Sequence, residues 1–102
     1  MGEGTWVTPA SEDARPGHDQ QPDAWVYLLR CRDGSLYTGW TTDVTRRLAQ
    51  HQAGTASRYT APRRPVALAL ALPMADRTAA RREEARIKRL TRAEKVRLVA
   101  GG

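Results

Sequence analysis

Tyr27 and Tyr37 lie on the two arms of a predicted β-hairpin, in the stretch VYLLRCRDGSLYTGW. A phenol can donate, accept or exchange a proton at a reaction centre. Tyrosines on paired strands are more often packing partners than catalytic groups. Strand alternation does not separate the two possibilities, because Val26 and Leu28 do not define one clean apolar face, which leaves open that the first strand is covered on both sides.

Arg47 and His51 are four residues apart on a predicted helix, so both project from the same edge of it. Val44 and Leu48 define the apolar stripe of that helix; Arg47 borders the stripe, whereas the neighbouring Arg46 points away from it. Structural roles explain this pattern as well. A flanking arginine keeps its charged head in water, and the helix dipole favours a histidine in the last turn.

A second predicted helix carries the adjacent carboxylates Glu83 and Glu84 beside an inward face marked by Ala80 and Ile87. A carboxylate near a buried face requires an ion-pair partner or a metal ion. Periodicity does not choose between the two glutamates. Lys88, four residues after Glu84, also allows an ordinary salt bridge.

Turn and capping signals predict the elements that position these residues. The Asp-Gly pair in RDGS predicts a tight hairpin turn between two β-rich arms. Thr42 or Asp43 is expected to cap a helix over 44–53, which Gly54 terminates. The apolar run VALALAL, over 66–72, has a proline on each side and is expected to form a short buried strand.

Two further helices complete the predicted order. Asp76 is expected to cap a helix over 77–89, and Thr91 with Glu94 forms a capping-box pattern that starts a short helix towards Val99. The middle segment GTASRYTAPRRP is too polar to belong to the core. The order strand, strand, helix, strand, helix, helix predicts an α/β fold with a small three-stranded, mainly antiparallel sheet flanked by helices.

The composition suits a single basic domain. The 102 residues include 17 Lys plus Arg and 11 Asp plus Glu, for a net charge of +6, and this length allows one modest core. Residues 1–22 hold four acidic residues and one arginine; we expect them to be a disordered tail and 23–102 to be the domain. The basic surplus of 23–102 favours a polyanionic partner, although a solvated Arg-rich surface has the same charge.

Cysteine and histidine usage excludes two classes of site. The single Cys31 has no intramolecular disulfide partner, and His18 and His51 show no zinc-ligand spacing. No apolar run approaches the roughly 18 residues needed to cross a bilayer, and the N-terminus has no secretory pattern. We therefore expect a cytoplasmic protein with no membrane association.

Five separated positions agree in order and spacing with one known domain. They are VY at 26–27, YTG at 37–39, Arg47, His51 and Glu84 in EARIK. The set resembles the GIY-YIG nuclease domain, and more closely its small stand-alone bacterial members related to the N-terminal domain of the excinuclease C subunit. The resemblance covers about residues 24–99.

The resemblance implies catalytic roles for these positions, and Gly39 matches the glycine that ends the second motif. The sequence departs from the pattern at Trp25, where the first motif has its name-giving glycine, and at Thr38, where the second has isoleucine. Neither departure removes a functional side chain. The implied catalytic residues are Tyr27, Tyr37, Arg47, His51 and Glu84.

The implied reaction is hydrolysis of phosphodiester bonds in DNA, with RNA not excluded, in DNA repair or recombination. Glu84 would hold one Mg²⁺ or Mn²⁺ ion, and Arg47 would contact the phosphate. Either Tyr27 or Tyr37 would act as the general base, and the choice between them stays open. His51 would share the proton of that tyrosine or position the water.

Contacts with the nucleic-acid backbone are expected from the middle loop and the Glu84 helix, through Arg58, Tyr59, Arg63, Arg64 and Lys88. Members of this branch have no second, target-selecting domain, so the resemblance also implies a protein partner for targeting. Two other functions fit the same residues. One is a non-catalytic nucleic-acid-binding module that retains the fold, and the other is an adaptor whose acidic tail, 1–22, covers the basic face.

Overall fold

Three β-strands and three α-helices follow one another in the predicted order. The computed structural model describes residues 22–101. The predicted disordered tail therefore lies outside the described residues except for Pro22, and the division into a tail and a domain stays a prediction. The elements are β1 (Ala24–Arg30), β2 (Leu36–Thr41), α1 (Val44–Ala53), a 3₁₀ turn (Ala61–Arg63), β3 (Ala67–Met74), α2 (Arg77–Lys88) and α3 (Arg92–Val99).

The sheet has β1 at its centre, in the order β2-β1-β3, and both neighbours pair with β1 in the antiparallel direction. The predicted α/β fold with a three-stranded antiparallel sheet is thus confirmed. The register of β1 and β2 sets Tyr27 opposite Gly39 and Leu29 opposite Tyr37. Residues directly opposite each other share a face of the sheet, so both tyrosines project to the same side.

The hairpin turn forms where the Asp-Gly pair predicts it. The Asp33 carboxylate accepts hydrogen bonds from the Ser35 amide at 3.0 Å and from its hydroxyl at 2.6 Å. Gly34 adopts a φ of 86°, in the left-handed region where a side chain is disfavoured. The turn holds the two arms in register and so aligns the two tyrosines.

Helix α1 has the predicted bounds, and Asp43 is its N-cap rather than Thr42. The Asp43 carboxylate accepts from the Arg46 amide at 3.0 Å. Gly54 ends the helix with a φ of 82°, and its amide donates to the carbonyls of Gln50 and His51, which is the usual glycine termination.

Strand β3 extends further than predicted. The prolines on each side were expected to confine it to 66–72, but it runs from Ala67 to Met74 and includes Pro73 opposite Trp25 of β1. An edge strand tolerates proline because one side of it has no partner strand to receive an amide hydrogen bond. The prediction was wrong in treating Pro73 as a strand end and in expecting a buried strand, since none of the residues of β3 is buried.

Helices α2 and α3 start at the predicted caps. Asp76 accepts from the Ala79 amide at 2.7 Å, and α2 ends at Lys88, one residue before the predicted end. Thr91 and Glu94 form the reciprocal capping box that the sequence predicts. No helix in residues 22–101 is long and apolar enough to cross a membrane.

Strand β1 is buried on both faces. On one face Ala24, Val26 and Leu28 pack against Ala80 and Ile87 of α2. On the other face a second cluster forms, which packs against Leu48 of α1 and contains Tyr27, Leu29, Cys31 and Val66. The two-sided cover explains why alternation in the sequence shows no single apolar face, and it places Tyr27 on the α1 side.

Candidate active site

Tyr27 occupies the centre of the site, with 2% of its surface exposed. Its ring lies over Gly39, and a Cβ atom added at that glycine would stand 2.5 Å from the phenol oxygen and 2.6 Å from Cζ. Real Cβ atoms do not approach so closely, so Gly39 is the residue that leaves room for the Tyr27 ring. The glycine that ends the second motif therefore has a packing function.

His51 is fully buried and contacts Tyr27 directly. Its Nε2 atom is 2.8 Å from the Tyr27 hydroxyl, and its Nδ1 atom is 2.8 Å from Oγ1 of Thr60. Both ring nitrogens therefore have polar partners. A histidine whose only role is to interact favourably with the helix dipole would not need hydrogen bonds at both ring nitrogens.

Thr60 is the residue of this site that sequence reasoning missed. The middle segment was predicted to be too polar for the core, yet Thr60 is fully buried. Its burial is tolerated because the hydroxyl bonds to His51, which removes the cost of an unpaired polar group. Nothing in the spacing indicates this contact, since it joins the last turn of α1 to an irregular loop.

Tyr37 reaches the same group through its ring. Its centroid lies 5.2 Å from that of His51 in an edge-to-face arrangement, and 5.9 Å from that of Tyr59 in a stacked arrangement. Tyr37 is partly exposed, in contrast to Tyr27. Of the two phenols, Tyr27 is held inside the site and Tyr37 forms part of its wall.

Arg47 stands beside Tyr27 with part of its guanidinium uncommitted. Its Nη1 atom donates to Gln50 Oε1 at 2.9 Å, which holds the side chain from within the same helix. Its Nε atom is buried and has no hydrogen-bond partner among residues 22–101. Such an orphaned donor indicates that the group has capacity for an additional acceptor.

The pKa values of Tyr27 and His51 reflect burial first and Arg47 second. Burial raises the pKa of Tyr27, the adjacent Arg47 opposes that rise, and the charges of Tyr37 and Glu84 add to it. Burial and the positive charge of Arg47 both lower the pKa of His51. Near neutral pH the protein by itself therefore holds a neutral phenol against a neutral imidazole.

Glu84 and Glu83 differ in their partners, which distinguishes two residues that periodicity leaves equivalent. Glu83 forms a forked ion pair with Arg86, at 2.9 and 2.7 Å. The Glu84 side chain is 20% exposed and lies 3.4 Å from the Lys88 ammonium, and its charge acts on Tyr27. Of the two, Glu84 is the carboxylate whose charge acts on Tyr27.

The carboxylate of Glu84 meets the ligand requirements of magnesium better than those of zinc. Residues 22–101 contain no cluster of three or more His, Cys, Asp or Glu side chains that could hold a metal. A zinc site needs such a set, whereas Mg²⁺ retains several water molecules and is often held by one or two carboxylates together with substrate phosphate. The single carboxylate of Glu84 therefore fits a hydrated divalent ion.

Two arginines of the middle loop, Arg63 and Arg64, form contacts within the protein. Arg63 pairs with Asp33 at 3.0 Å and lies 3.9 Å above the ring of Tyr59. Arg64 donates to the carbonyls of Ala61 and Gln52, the latter near the end of α1. Arg63 thus holds Tyr59 against Tyr37, and Arg64 ties the loop to α1.

The other predicted backbone contacts occupy different places. Arg58 and Tyr59 are exposed, whereas Lys88 is the partner of Glu84. Their contacts with nucleic acid stay predictions.

A basic cleft of about 330 Å³ opens beside Arg47. Arg46 of α1 and Arg77, the first residue of α2, are among its lining residues, together with Trp40 and Gln50. Sequence reasoning set Arg46 aside because it points away from the apolar stripe of α1. That orientation faces it into the cleft, and the start of a distant helix supplies Arg77.

Comparison with known proteins identifies the family of the chain. The model of the GIY-YIG catalytic domain matches residues 23–97. A UPF0213 protein of Natronomonas pharaonis is 49% identical over 78 residues, which cover 76% of this chain and 92% of that protein. The UPF0213 protein YhbQ of Escherichia coli is 46% identical over 78 residues, covering 76% and 78%.

A solved structure resembles the fold as well. The solution NMR structure of a UPF0213 protein from Bacillus halodurans superposes with a TM-score of 0.50 at 42% identity, covering 76% of this chain and 82% of the other. The UPF0213 name states no activity. With a family model matched over most of its length, and with small relatives that it covers nearly completely, the chain belongs to the GIY-YIG family.

Proposed function

We propose that the protein is a metal-dependent endonuclease that hydrolyses phosphodiester bonds in DNA. The observation that carries the proposal is the environment of the Tyr27 hydroxyl, which lies 2.8 Å from His51 and has Arg47, Tyr37 and Glu84 near enough to shift its pKa. A phenol beside a guanidinium, with a carboxylate whose charge acts on the phenol, provides the groups that phosphodiester hydrolysis requires. Membership in a nuclease family supports the same reaction class.

Tyr27 is proposed as the general base. It is the phenol whose oxygen is directly hydrogen-bonded within the site, and its two polar neighbours, His51 and Arg47, can both donate to a phenolate. These donors favour the charged form that must accept a proton from the attacking water, and they act against the burial that raises the pKa of Tyr27. Tyr37, partly exposed at the wall, is proposed to orient the phosphate or the water with its hydroxyl.

Arg47 is proposed to bind the phosphate as negative charge develops on it. A guanidinium offers a fork of donors that matches two phosphate oxygens. Gln50 accepts from Nη1, which fixes the orientation of the plane, whereas Nε is buried and has no partner among residues 22–101. The arginine is thus positioned before the substrate arrives.

Glu84 is proposed to hold the divalent ion, Mg²⁺ or Mn²⁺. When bound, such an ion neutralises phosphoryl charge and activates water. Lys88 pairs with this carboxylate at 3.4 Å and neutralises part of its charge. Lys88 therefore competes with the ion for Glu84 and is released for backbone contact when the carboxylate is engaged elsewhere.

The substrate backbone is proposed to cross the site from the middle loop to the basic cleft. Arg58 and Tyr59 are exposed on one side, and Arg46 and Arg77 line the cleft on the other. Contacts of this kind are independent of base sequence and weaken with salt. The site by itself therefore does not select a target, which leaves that task to a separate protein partner in DNA repair or recombination.

The test is cleavage of plasmid and branched DNA, with RNA as a parallel substrate, in Mg²⁺ or Mn²⁺. Glu84→Ala is expected to lower cleavage by about a hundredfold or more, since an ion contributes several kcal/mol to the transition state. Glu83→Ala is the matched control, because it removes the adjacent carboxylate that pairs with Arg86, and it is expected to cleave normally.

Equal background from the wild type and Glu84→Ala would reject the nuclease. Salt-sensitive binding without cleavage in either metal would instead identify a non-catalytic nucleic-acid-binding module.

A further inference from the structure

Thr60, His51 and Tyr27 form a buried row of three hydrogen-bonding groups. The row runs from Thr60 Oγ1 through His51 Nδ1 and Nε2 to the Tyr27 hydroxyl, with 2.8 Å at each contact. Both Thr60 and His51 have no exposed surface. Each hydrogen atom in the row must therefore find its acceptor within the protein or at the Tyr27 end of the row, where 2% of the residue is exposed.

The backbone holds Thr60 firmly at its end of the row. Its amide bonds to the Ser57 hydroxyl at 3.2 Å, and its carbonyl accepts from the Arg63 amide at 2.9 Å, at the start of the 3₁₀ turn. These backbone hydrogen bonds fix the position of Thr60, so that its hydroxyl lies against Nδ1 of His51.

A neutral imidazole carries one N–H, which allows two arrangements of the row. If the hydrogen were on Nδ1, it would donate to Thr60, and the hydroxyl hydrogen of Thr60 would be buried without an acceptor, since His51 is the one hydrogen-bond partner of Oγ1 in residues 22–101. If the hydrogen is on Nε2, Thr60 donates to Nδ1 and His51 donates to Tyr27. The second arrangement pairs the Thr60 hydrogen and leaves the hydroxyl hydrogen of Tyr27 without an acceptor among residues 22–101. Tyr27 is 2% exposed and Thr60 has no exposed surface, so the second arrangement moves the unpaired hydrogen from the enclosed end of the row to its less enclosed end, where leaving it costs less.

We propose that Thr60 is a positioning residue that holds His51 as the Nε2–H tautomer, so that His51 is a hydrogen-bond donor to the Tyr27 oxygen and not an acceptor of the Tyr27 proton. The hydroxyl hydrogen of Tyr27 then points away from His51. When that proton is lost to solvent, the phenolate oxygen retains the His51 N–H as a donor. The catalytic consequence rests on the proposed nuclease function, whereas the tautomer does not.

The tautomer is measured directly by NMR. In the ¹⁵N-labelled full chain, long-range couplings between the carbon-bound ring hydrogens and the two ring nitrogens identify which nitrogen carries hydrogen, and His51→Gln assigns the signals against those of His18. We expect Nε2 to be protonated and Nδ1 to be bare. Hydrogen on Nδ1 would overturn the proposal, whether or not the protein cleaves DNA.

Two substitutions test the role of the hydroxyl. Thr60→Val keeps the shape and removes the donor, and it is expected to move the Nδ1 resonance downfield and to lower kcat by roughly tenfold, the usual scale for a residue that orients a functional ligand, with KM unchanged. Thr60→Ser restores the donor and is expected to restore both values.

An unmoved Nδ1 resonance in Thr60→Val would contradict the hydrogen bond itself. A moved resonance with an unchanged kcat would contradict the catalytic consequence. A wild type that shows the Nε2–H tautomer without cleavage would reject the nuclease and leave the tautomer assignment standing.

Discussion

The two faces of β1 show how one strand serves both a core and a reaction site. On the α2 face, Ala24, Val26 and Leu28 meet Ala80 and Ile87, and the contact is entirely apolar. On the α1 face, Tyr27 meets the buried polar side chains of His51 and Thr60. Alternate residues of the same seven-residue strand therefore have opposite tasks, and substitutions on the two faces should separate stability from activity.

The largest effect on folding is expected on the α2 face. Leu28→Ala removes a fully buried side chain and is expected to lower the free energy of unfolding by about 2–5 kcal/mol, because it adds a cavity to the lost apolar burial. Denaturant unfolding followed by circular dichroism measures the change. A loss below about 1 kcal/mol would show that this face is not the main core.

Tyr27→Phe is the counterpart on the α1 face. The ring and its packing over Gly39 remain, so we expect a stability loss of only about 1–3 kcal/mol from the unpaired His51 nitrogen. Cleavage is expected to fall by about 10²–10⁴-fold, the usual contribution of a general base. Tyr37→Phe is the matched control, and a larger loss of activity in that variant would exchange the roles of the two phenols.

Gly39→Ala tests the boundary between stability and activity. The added Cβ would collide with the Tyr27 ring, at 2.5 Å from its oxygen, so the ring must move and the hydrogen bond to His51 must break. We expect a stability loss of about 1–3 kcal/mol from overpacking, together with loss of cleavage. A fully active Gly39→Ala would contradict the packing argument.

The basic cleft beside Arg47 is the part of the α1 side that we expect to contact the DNA backbone. Substituting Arg46 and Arg77 together by alanine is expected to weaken DNA binding and to reduce the slope of log K against log salt concentration by about two, since each phosphate contact contributes about one. Binding is measured by fluorescence anisotropy in the Glu84→Ala background. The control replaces Arg82 and Arg97, two exposed arginines that do not line the cleft, by alanine. An equal effect of both pairs would show that DNA binding depends on the total positive charge and not on the cleft.

The smallest expected effect is a pH dependence of stability that comes from the α1 face. The pKa of His51 is lowered from the ordinary value of 6.5, so below that value the unfolded state binds a proton more readily than the folded state. Stability is therefore lost as the pH falls through the ordinary value of 6.5 towards the lowered pKa of His51. His51→Gln should flatten this part of the profile, and an equally steep decline in the variant would assign it to other groups.

Much of the fold was predictable because its signals are local. The Asp-Gly turn, the caps at Asp43, Gly54 and Asp76, and the capping box at Thr91 all act within four residues of the positions they define, so the sequence carries their whole geometry. Strand β3 was the exception. Its passage through Pro73 depends on its position at the sheet edge, which is a property of the assembled sheet.

By itself, the sequence determined the order of the elements, because residue type and spacing are properties of the chain. Its resemblance to the GIY-YIG domain then predicted a set of site residues, namely Tyr27, Tyr37, Arg47, His51 and Glu84. Only the tertiary structure decided how these side chains relate to one another. In the folded protein the Tyr27 ring packs over Gly39, Thr60 is buried and hydrogen-bonded to His51, and Glu83 forms a salt bridge with Arg86. These decisions depend on contacts between segments distant in sequence or on competition among side chains for one partner, and spacing along a chain encodes neither.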